Sequence, residues 1–358
     1  MRIMKNDLLR GAIISLLMSV FLIAALEIVA RVLIRYNTVL NINVGGFAEY
    51  HPTRRKQLRA NYVGENFTIN SHRILGPEFE IVKPPKTLRI LTIGDSTTFA
   101  HPHRNYSRVL EEELISLFPG NSIEVIVGAV PGYDTYGALD WYKEFLNKLN
   151  PDIAIVYLGW GDMGQYHPFG LRYKNEDKSY RNRTWLGAAM QELYFLRIPY
   201  FFMGRIEFKK PIDISELTPQ ETSALDAFTP EHFKDNLTFL IQDLKKKGAD
   251  VYLIAPAGLV TYNPTDDEIK KIHFPRGMKR KVSLYKAVYA RYMRALEEVA
   301  VNNDAPLVDL REIIRTEEQR RIFQDTMHIN VDGAEVFGSY IAEFIKPEVG
   351  EILRGYNQ

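Results

Sequence analysis

Hydrophobic and polar positions divide this chain into three regimes. From Gly11 to Leu26 the run GAIISLLMSVFLIAAL carries no charge, and after Glu27 apolar character resumes through Ile28, Val29 and Ala30. A helix of about 20 such residues spans the hydrocarbon core of a bilayer. From Tyr36 to about Pro85, turn formers and polar residues dominate, with RRKQLRANY and the short β-type stretch ENFTIN. Pro84-Pro85 closes this region, since neither residue continues a helix or a ladder. Beyond it, short continuous apolar runs alternate with amphipathic segments. LRILTIG, IEVIVGA, IAIVYLG, VYLIAPA and PLVDL read as strands; Tyr106 to Phe118, Tyr136 to Leu149, Phe233 to Lys247, Lys281 to Val299 and Gly333 to Ile345 read as helices. Strands apolar along their whole length, alternating with helices, predict a parallel sheet covered on both faces. The expected fold class is therefore α/β, a three-layer α/β/α arrangement on a mostly parallel five-stranded sheet, plus an N-terminal transmembrane helix. Between Met163 and Pro230 the alternation is lost in an aromatic-rich stretch containing Tyr194, Phe195, Tyr200, Phe201 and Phe202. That stretch is either an extra structural subdomain or a cap over the carboxyl edge of the sheet, where such folds bind ligands. The expected organisation is an anchor over 1–35, an extension over 36–85, and a main domain over 86–350 with an insertion at about 163–230.

Arg2, Lys5 and Arg10 precede the apolar run, which by the positive-inside tendency leaves the N-terminus in the cytoplasm and sends the rest across. Arg31 and Arg35 follow it and oppose that orientation. A cleaved signal is the competing reading, because Ala24 and Ala25 are small. However, Glu27 and Arg31 continue a helical pattern, spaced to pair, where a cleavage region is extended.

Composition narrows the chemistry. The chain has 358 residues, 46% hydrophobic and 25% charged, with a formal net charge of +1. So balanced a chain has no long-range field to recruit nucleic acid. Zero cysteines exclude a disulfide framework, a thiolate nucleophile and a cysteine-bound metal. A nucleophile here must be oxygen or nitrogen.

Two motifs supply candidates. Gly94-Asp95-Ser96 directly follows the first strand of the main domain, a turn that places Ser96 at the strand's carboxyl end near backbone N–H groups of the next helix. By itself the tripeptide also serves as an ordinary turn and N-cap. Near the other end, Asp325-Thr326-Met327-His328 sets an aspartate three residues before a histidine. On one turn of chain that aspartate can accept the imidazole Nδ1–H and leave Nε2 to deprotonate a serine. A helix entry with a surface histidine has the same pattern. In a doubly wound sheet the two positions can converge at one edge.

From Thr87 to Ile345 the chain resembles the SGNH, or GDSL, hydrolase family in its order of blocks: Gly94-Asp95-Ser96, Gly132 in AVPGYDT, Gly159-Trp160-Gly161-Asp162, and Asp325 to His328. The lead-in INSHRILGPEFEIVKPPKTLRILTIGDS is similar to that of bacterial membrane-anchored members. The resemblance implies a flavodoxin-like SGNH hydrolase fold, Ser96 as nucleophile, His328 as general base and then acid, and Asp325 as the group orienting the imidazolium. It also implies an oxyanion hole from the Ser96 and Gly132 N–H groups and an asparagine side chain in the third block. Here that position is Gly161. Loss of one such donor costs about a hundredfold to a thousandfold in rate. Gln165, the Gly161 N–H or a water could replace it, or the protein could be slow or silent. Asp162 reads as a residue that holds its loop together.

Asp95, Trp160, Gln165 and His167 are further candidate substrate contacts. His101 and His103 read as solvent-facing, and His51, His72, His232 and His273 have no spacing that suggests a metal site. Lys279-Arg280-Lys281 reads as a solvated helix start. The resemblance thus implies an extracytoplasmic, cofactor-free serine esterase on O-acetyl esters of glycans. A transferase or lipid esterase of the same fold, or a silent glycan-binding protein of an export complex, are the alternatives. Expected partners are the membrane and an acylated glycan or lipid, not nucleic acid.

Overall fold

The computed structural model describes residues 2–42, 46–51, 53–164 and 211–356. Helix α1 (Arg2–Ile42) contains the apolar stretch. Within it Ile13–Val32 has a mean hydropathy of 2.6 and only 6% of its residues are buried, making it long and apolar enough to cross a membrane. Leu16, Met18 and Phe21 project from it exposed, and Arg31 Nε donates to Glu27 at 2.7 Å one turn away.

Two antiparallel pairs follow, β1 (Ala48–His51) with β2 (Arg55–Leu58) and β3 (Tyr62–Val63) with β4 (Thr68–Ile69). Leu58, Ile69, Ile74 and Leu75 lie in the same buried cluster as the central strands. The extension is therefore part of the packed body, because burying those side chains against the sheet removes them from water.

The sheet consists of β5 (Thr87–Gly94), β6 (Ser122–Ala129), β7 (Ile153–Tyr157), β8 (Asp250–Ala255) and β9 (Leu307–Asp309), ordered β6-β5-β7-β8-β9 and parallel throughout. Every residue of β5 and β7 is buried, as their unbroken apolar runs require when both faces are covered. Arg89 in β5 is the exception in chemistry. It is fully buried, but its guanidinium donates to Glu124 and to the carbonyls of Glu80, Ile81 and Leu149, so each of its three nitrogens has an acceptor.

Helices complete the three layers. The short α2 (Ser96–Phe99) opens directly from β5. Helix α3 (Tyr106–Leu117) packs on α11 (Val331–Tyr356) on one face; α4 (Thr135–Glu144), α7 (Glu231–Lys246) and α9 (Val282–Asn302) pack together on the other. Between these come α5 (Trp160–Met163), α6 (Pro219–Asp226), α8 (Asp266–Lys271) and α10 (Glu317–Arg320). The chain leaves β5 toward β6 on one side and returns past it to β7 on the other. The carboxyl end of β5 therefore lies at the topological switch point, where open α/β sheets bind ligands.

Three details differ from the expectations. The helix expected to reach Leu149 ends at Glu144, with a 3-10 turn from Leu146 to Lys148, so that Phe145 stacks on Trp141 at 5.4 Å. The last helix runs past Ile345 to Tyr356. Lys281 is not solvated: it is 3% exposed and pairs with Glu221 at 2.8 Å, tying α6 to the start of α9. Of the expected insertion, residues 165–210, with the aromatic cluster, lie outside the described residues.

Candidate active site

Ser96 is the first residue of α2, immediately after β5. The turn is held by Asp95, whose carboxylate accepts from Thr97 N and Thr97 Oγ1, both at 2.8 Å. That is an N-cap, satisfying a donor the helix would leave open. Gly94 has no side chain because one would collide with Thr98 and press on the Tyr157 carbonyl at 3.1 Å. Local capping and close strand contact together aim the hydroxyl out of the sheet edge.

His328 and Asp325 occupy a loop closed by the Phe323–Ile329 bridge and by Gln324 N donating to His328 O at 2.8 Å. Asp325 Oδ1 accepts from the amides of Met327 and His328, each at 3.0 Å. Its Oδ2 lies 2.7 Å from His328 Nδ1, and His328 Nε2 lies 2.7 Å from Ser96 Oγ. The structure thus joins residues 232 positions apart into one hydrogen-bonded line. The loop is braced from behind by Thr326, which is wholly buried. Its carbonyl accepts from Leu259 N at 2.8 Å and its hydroxyl accepts from His273 N at 2.7 Å.

The electrostatics follow from these contacts. Burial pushes the Asp325 carboxyl up, but the hydrogen bonds from His328 and the two amides outweigh it and hold the group at about 2. Burial pushes His328 down, yet the hydrogen bond and charge of Asp325, with a smaller contribution from Asp95, raise it above the ordinary 6.5. The protonated form of His328 is thereby stabilised.

In the loop after β6, Gly132 adopts φ +76°, a conformation that favours glycine. A Cβ there would stand 2.6 Å from Lys56 Nζ. Gly161 faces the backbone of the same loop: a Cβ would overlap the Tyr133 carbonyl oxygen and lie 2.8 Å from its carbon. Asp162 is fully buried and stitches the two loops together, accepting from Thr135 N at 2.9 Å and Thr135 Oγ1 at 2.6 Å. Tyr292 OH donates to its carbonyl at 3.0 Å.

Two candidate substrate contacts face inward instead. Trp160 is 3% exposed, stacked on Tyr289 at 5.7 Å and packed on Gly258; Asp95 is 1% exposed and bonded to Thr97. Apolar burial claims the first and helix capping the second. Gln165 and His167 lie outside the described residues. His101 is half-buried, with Nε2 at 3.0 Å from Gln324 Nε2, so the loop after the nucleophile touches the residue preceding Asp325. His273 Nδ1 lies 3.5 Å from Asp325 Oδ2, a contact that no spacing in the sequence signals. Among the described residues no cluster of three or more potential metal ligands occurs.

Ser96, His328 and Asp325 thus stand in a hydrogen-bonded line at the switch point of a parallel sheet, and the family match over most of the chain makes it a serine hydrolase acting on ester bonds. The chain belongs to the GDSL-like Lipase/Acylhydrolase family, whose model matches residues 92–336. Similar solved structures include the acetyl xylan esterase AlAXEase, at 14% identity over 72% of this chain and 100% of that one, with a TM-score of 0.44. A lipase/acylhydrolase from Enterococcus faecalis matches at 15% identity, 73% and 96% coverage and a TM-score of 0.42. A mutant of the acetyl-xylooligosaccharide esterase Axe2 from Geobacillus Stearmophilus matches at 14% identity, 75% and 97% coverage and a TM-score of 0.46. No curated protein matches the chain.

Proposed function

We propose that this protein is a membrane-anchored, extracytoplasmic serine esterase that removes acyl groups, chiefly O-acetyl, from glycans through Ser96, His328 and Asp325. The observation that carries the reading is the pair of 2.7 Å contacts running Ser96 Oγ to His328 Nε2 and His328 Nδ1 to Asp325 Oδ2. On this reading Ser96 Oγ attacks the ester carbonyl carbon as its proton passes to His328 Nε2. The carbonyl oxygen takes up the negative charge, facing the Ser96 and Gly132 amides. Collapse of the tetrahedral intermediate breaks the bond to the alcohol, which leaves with the proton from His328. Water, giving a proton to the same imidazole, then attacks the acyl-enzyme carbonyl; the bond to Ser96 Oγ breaks, the carboxylic acid leaves, and His328 returns the proton to Ser96. The apolar stretch Ile13–Val32 supports anchoring, and the arginine and lysine ahead of it support an outside location for the catalytic body.

The test compares the purified full chain with its Ser96→Ala variant on p-nitrophenyl acetate and acetylated polysaccharide, and labels both with a fluorophosphonate. The reading predicts turnover and stoichiometric labelling that vanish in the variant. Gly161 motivates a second reading, a silent glycan-binding protein: polysaccharide binding with no labelling of Ser96 is the outcome that selects it.

A further inference from the structure

Asp325 has acceptor capacity that the line to Ser96 does not use. An ionised carboxylate offers about four lone-pair sites. Oδ1 takes the Met327 and His328 amides, each at 3.0 Å, and Oδ2 takes His328 Nδ1 at 2.7 Å. A second approach to Oδ2, at 3.5 Å, is made by Nδ1 of another imidazole, His273.

Burial does not put His273 there, since its side chain is 77% exposed. Its backbone does. Residues 272–274 run between α8 and the 3-10 turn Arg276–Met278, and their side chains alternate between inside and outside. Ile272 and Phe274 are buried; the Phe274 ring meets that of Tyr285 on α9 at 6.0 Å, with the Arg280 guanidinium 5.7 Å over it. Between these two anchors His273 is turned outward, and both of its backbone groups bond to Thr326 Oγ1. Its N–H donates at 2.7 Å and its carbonyl accepts at 3.3 Å. Because Thr326 follows Asp325 directly, the segment carrying His273 is fastened to the catalytic loop at the residue next to the carboxylate.

We propose that His273 is a positioning residue for the triad: its Nδ1–H, directed at Asp325 Oδ2, keeps the carboxylate turned toward His328 while the imidazolium forms. This rests on the esterase reading above. No proton passes between His273 and Asp325; the Ser96 proton still goes to His328 Nε2. A polar contact this exposed adds little to folding, so its effect falls on the orientation of the carboxylate and on how much of its charge His328 feels. With the second donor removed, that charge bears on His328 alone, which then holds its proton more tightly. The other groups acting on the pair are Asp95, which also favours protonated His328, and the Tyr285 hydroxyl, kept neutral by its burial.

The test uses the full chain in detergent micelles, measuring the pH dependence of p-nitrophenyl acetate turnover, fluorophosphonate labelling of Ser96 and the melting temperature. His273→Leu is expected to lower kcat about tenfold, with KM and melting temperature unchanged, and to move the acid limb to higher pH. His273→Asn, whose side-chain N–H reaches the place of Nδ1, keeps most of the rate and the wild-type limb. In an Asp325→Ala background His273→Leu changes nothing further, because the group it acts through is gone. Unchanged kcat and acid limb in His273→Leu overturn the proposal. So does a His273→Asn variant as slow as His273→Leu, or the same loss in the absence of the Asp325 carboxylate. A wild-type chain that labels and turns over, yet is indifferent to His273→Leu, refutes this proposal alone; if Ser96 does not label at all, the esterase reading fails and this proposal with it.

Discussion

Gly161 and Tyr133 are in contact so close that the alpha carbon of one leaves no space for a substituent beneath the carbonyl of the other. Restoring the family's asparagine by Gly161→Asn therefore does not repair a missing donor. It drives a side chain into backbone 2.8 Å from Tyr133 C and 3.1 Å from Asp134 Cα. The expected outcome is a loss of about 1–3 kcal/mol of stability, read by urea denaturation, together with reduced esterase activity. A variant at least as stable and faster than wild type would contradict the packing described.

On the proposed reading, the raised proton affinity of His328 sets the acid limb of activity. As general base the imidazole must be neutral, so kcat/KM falls as pH drops through its folded pKa, which lies above 6.5. Asp325→Asn removes the carboxylate that holds the proton. The acid limb should move to lower pH and kcat should fall by about a thousandfold to ten-thousandfold. The same pair gives stability a definite pH dependence. His328, raised in the folded state, stabilises fully below 6.5 and loses that contribution as pH rises through its folded value. Asp325, depressed to about 2, contributes above 3.8 and loses it as pH falls toward 2. Denaturation of Ser96→Ala and of Ser96→Ala with His328→Ala, measured across this range, isolates the histidine's part.

On the proposed reading, Thr326 acts on catalysis through its neighbours. Thr326→Val keeps the shape but strips the acceptor from His273 N, leaving a donor unsatisfied at a cost of about 1–3 kcal/mol. The loop carrying Asp325 and His328 then loses one of its braces, and kcat is expected to fall between about tenfold and a hundredfold with KM unchanged. Thr326→Ser, which retains the hydroxyl, should recover most of the rate; equal damage in both variants would show that packing of the methyl group dominates.

The absence of cysteine makes topology directly measurable. Val301, 80% exposed on α9, accepts a substitution Val301→Cys that creates a single thiol on the catalytic body. In right-side-out membrane vesicles a membrane-impermeant maleimide should label it without lysis. Labelling only after lysis would place the body on the cytoplasmic side.

The sheet was readable in the sequence because strands buried on both faces are apolar without interruption, and β5 and β7 are such runs. Ser96, Asp325 and His328, which hydrogen bonds join in the structure, stood out in the sequence because each lies in a short local motif. Features that depend on distant docking were not. Lys281 reads as a surface charge until Glu221, 60 residues away, closes on it. Trp160 reads as a candidate substrate contact, and its stacking on Tyr289 is invisible in the sequence. Lys56 carries no motif at all: its nearness to Gly132 arises from how Arg54 seats the hairpin on Asp140 and Glu144.

The hydrogen-bonded line from Ser96 to Asp325 draws its members from opposite ends of the fold, with the base arriving only at the entry to α11 and that helix docking on α3. Such a site has high contact order and closes late. On the proposed reading, a chain still emerging from the ribosome carries its nucleophile but no base to activate it. Emergence of His328 is then the event that arms the protein, and a product cut short before it is inert toward every ester it meets on its way to the membrane.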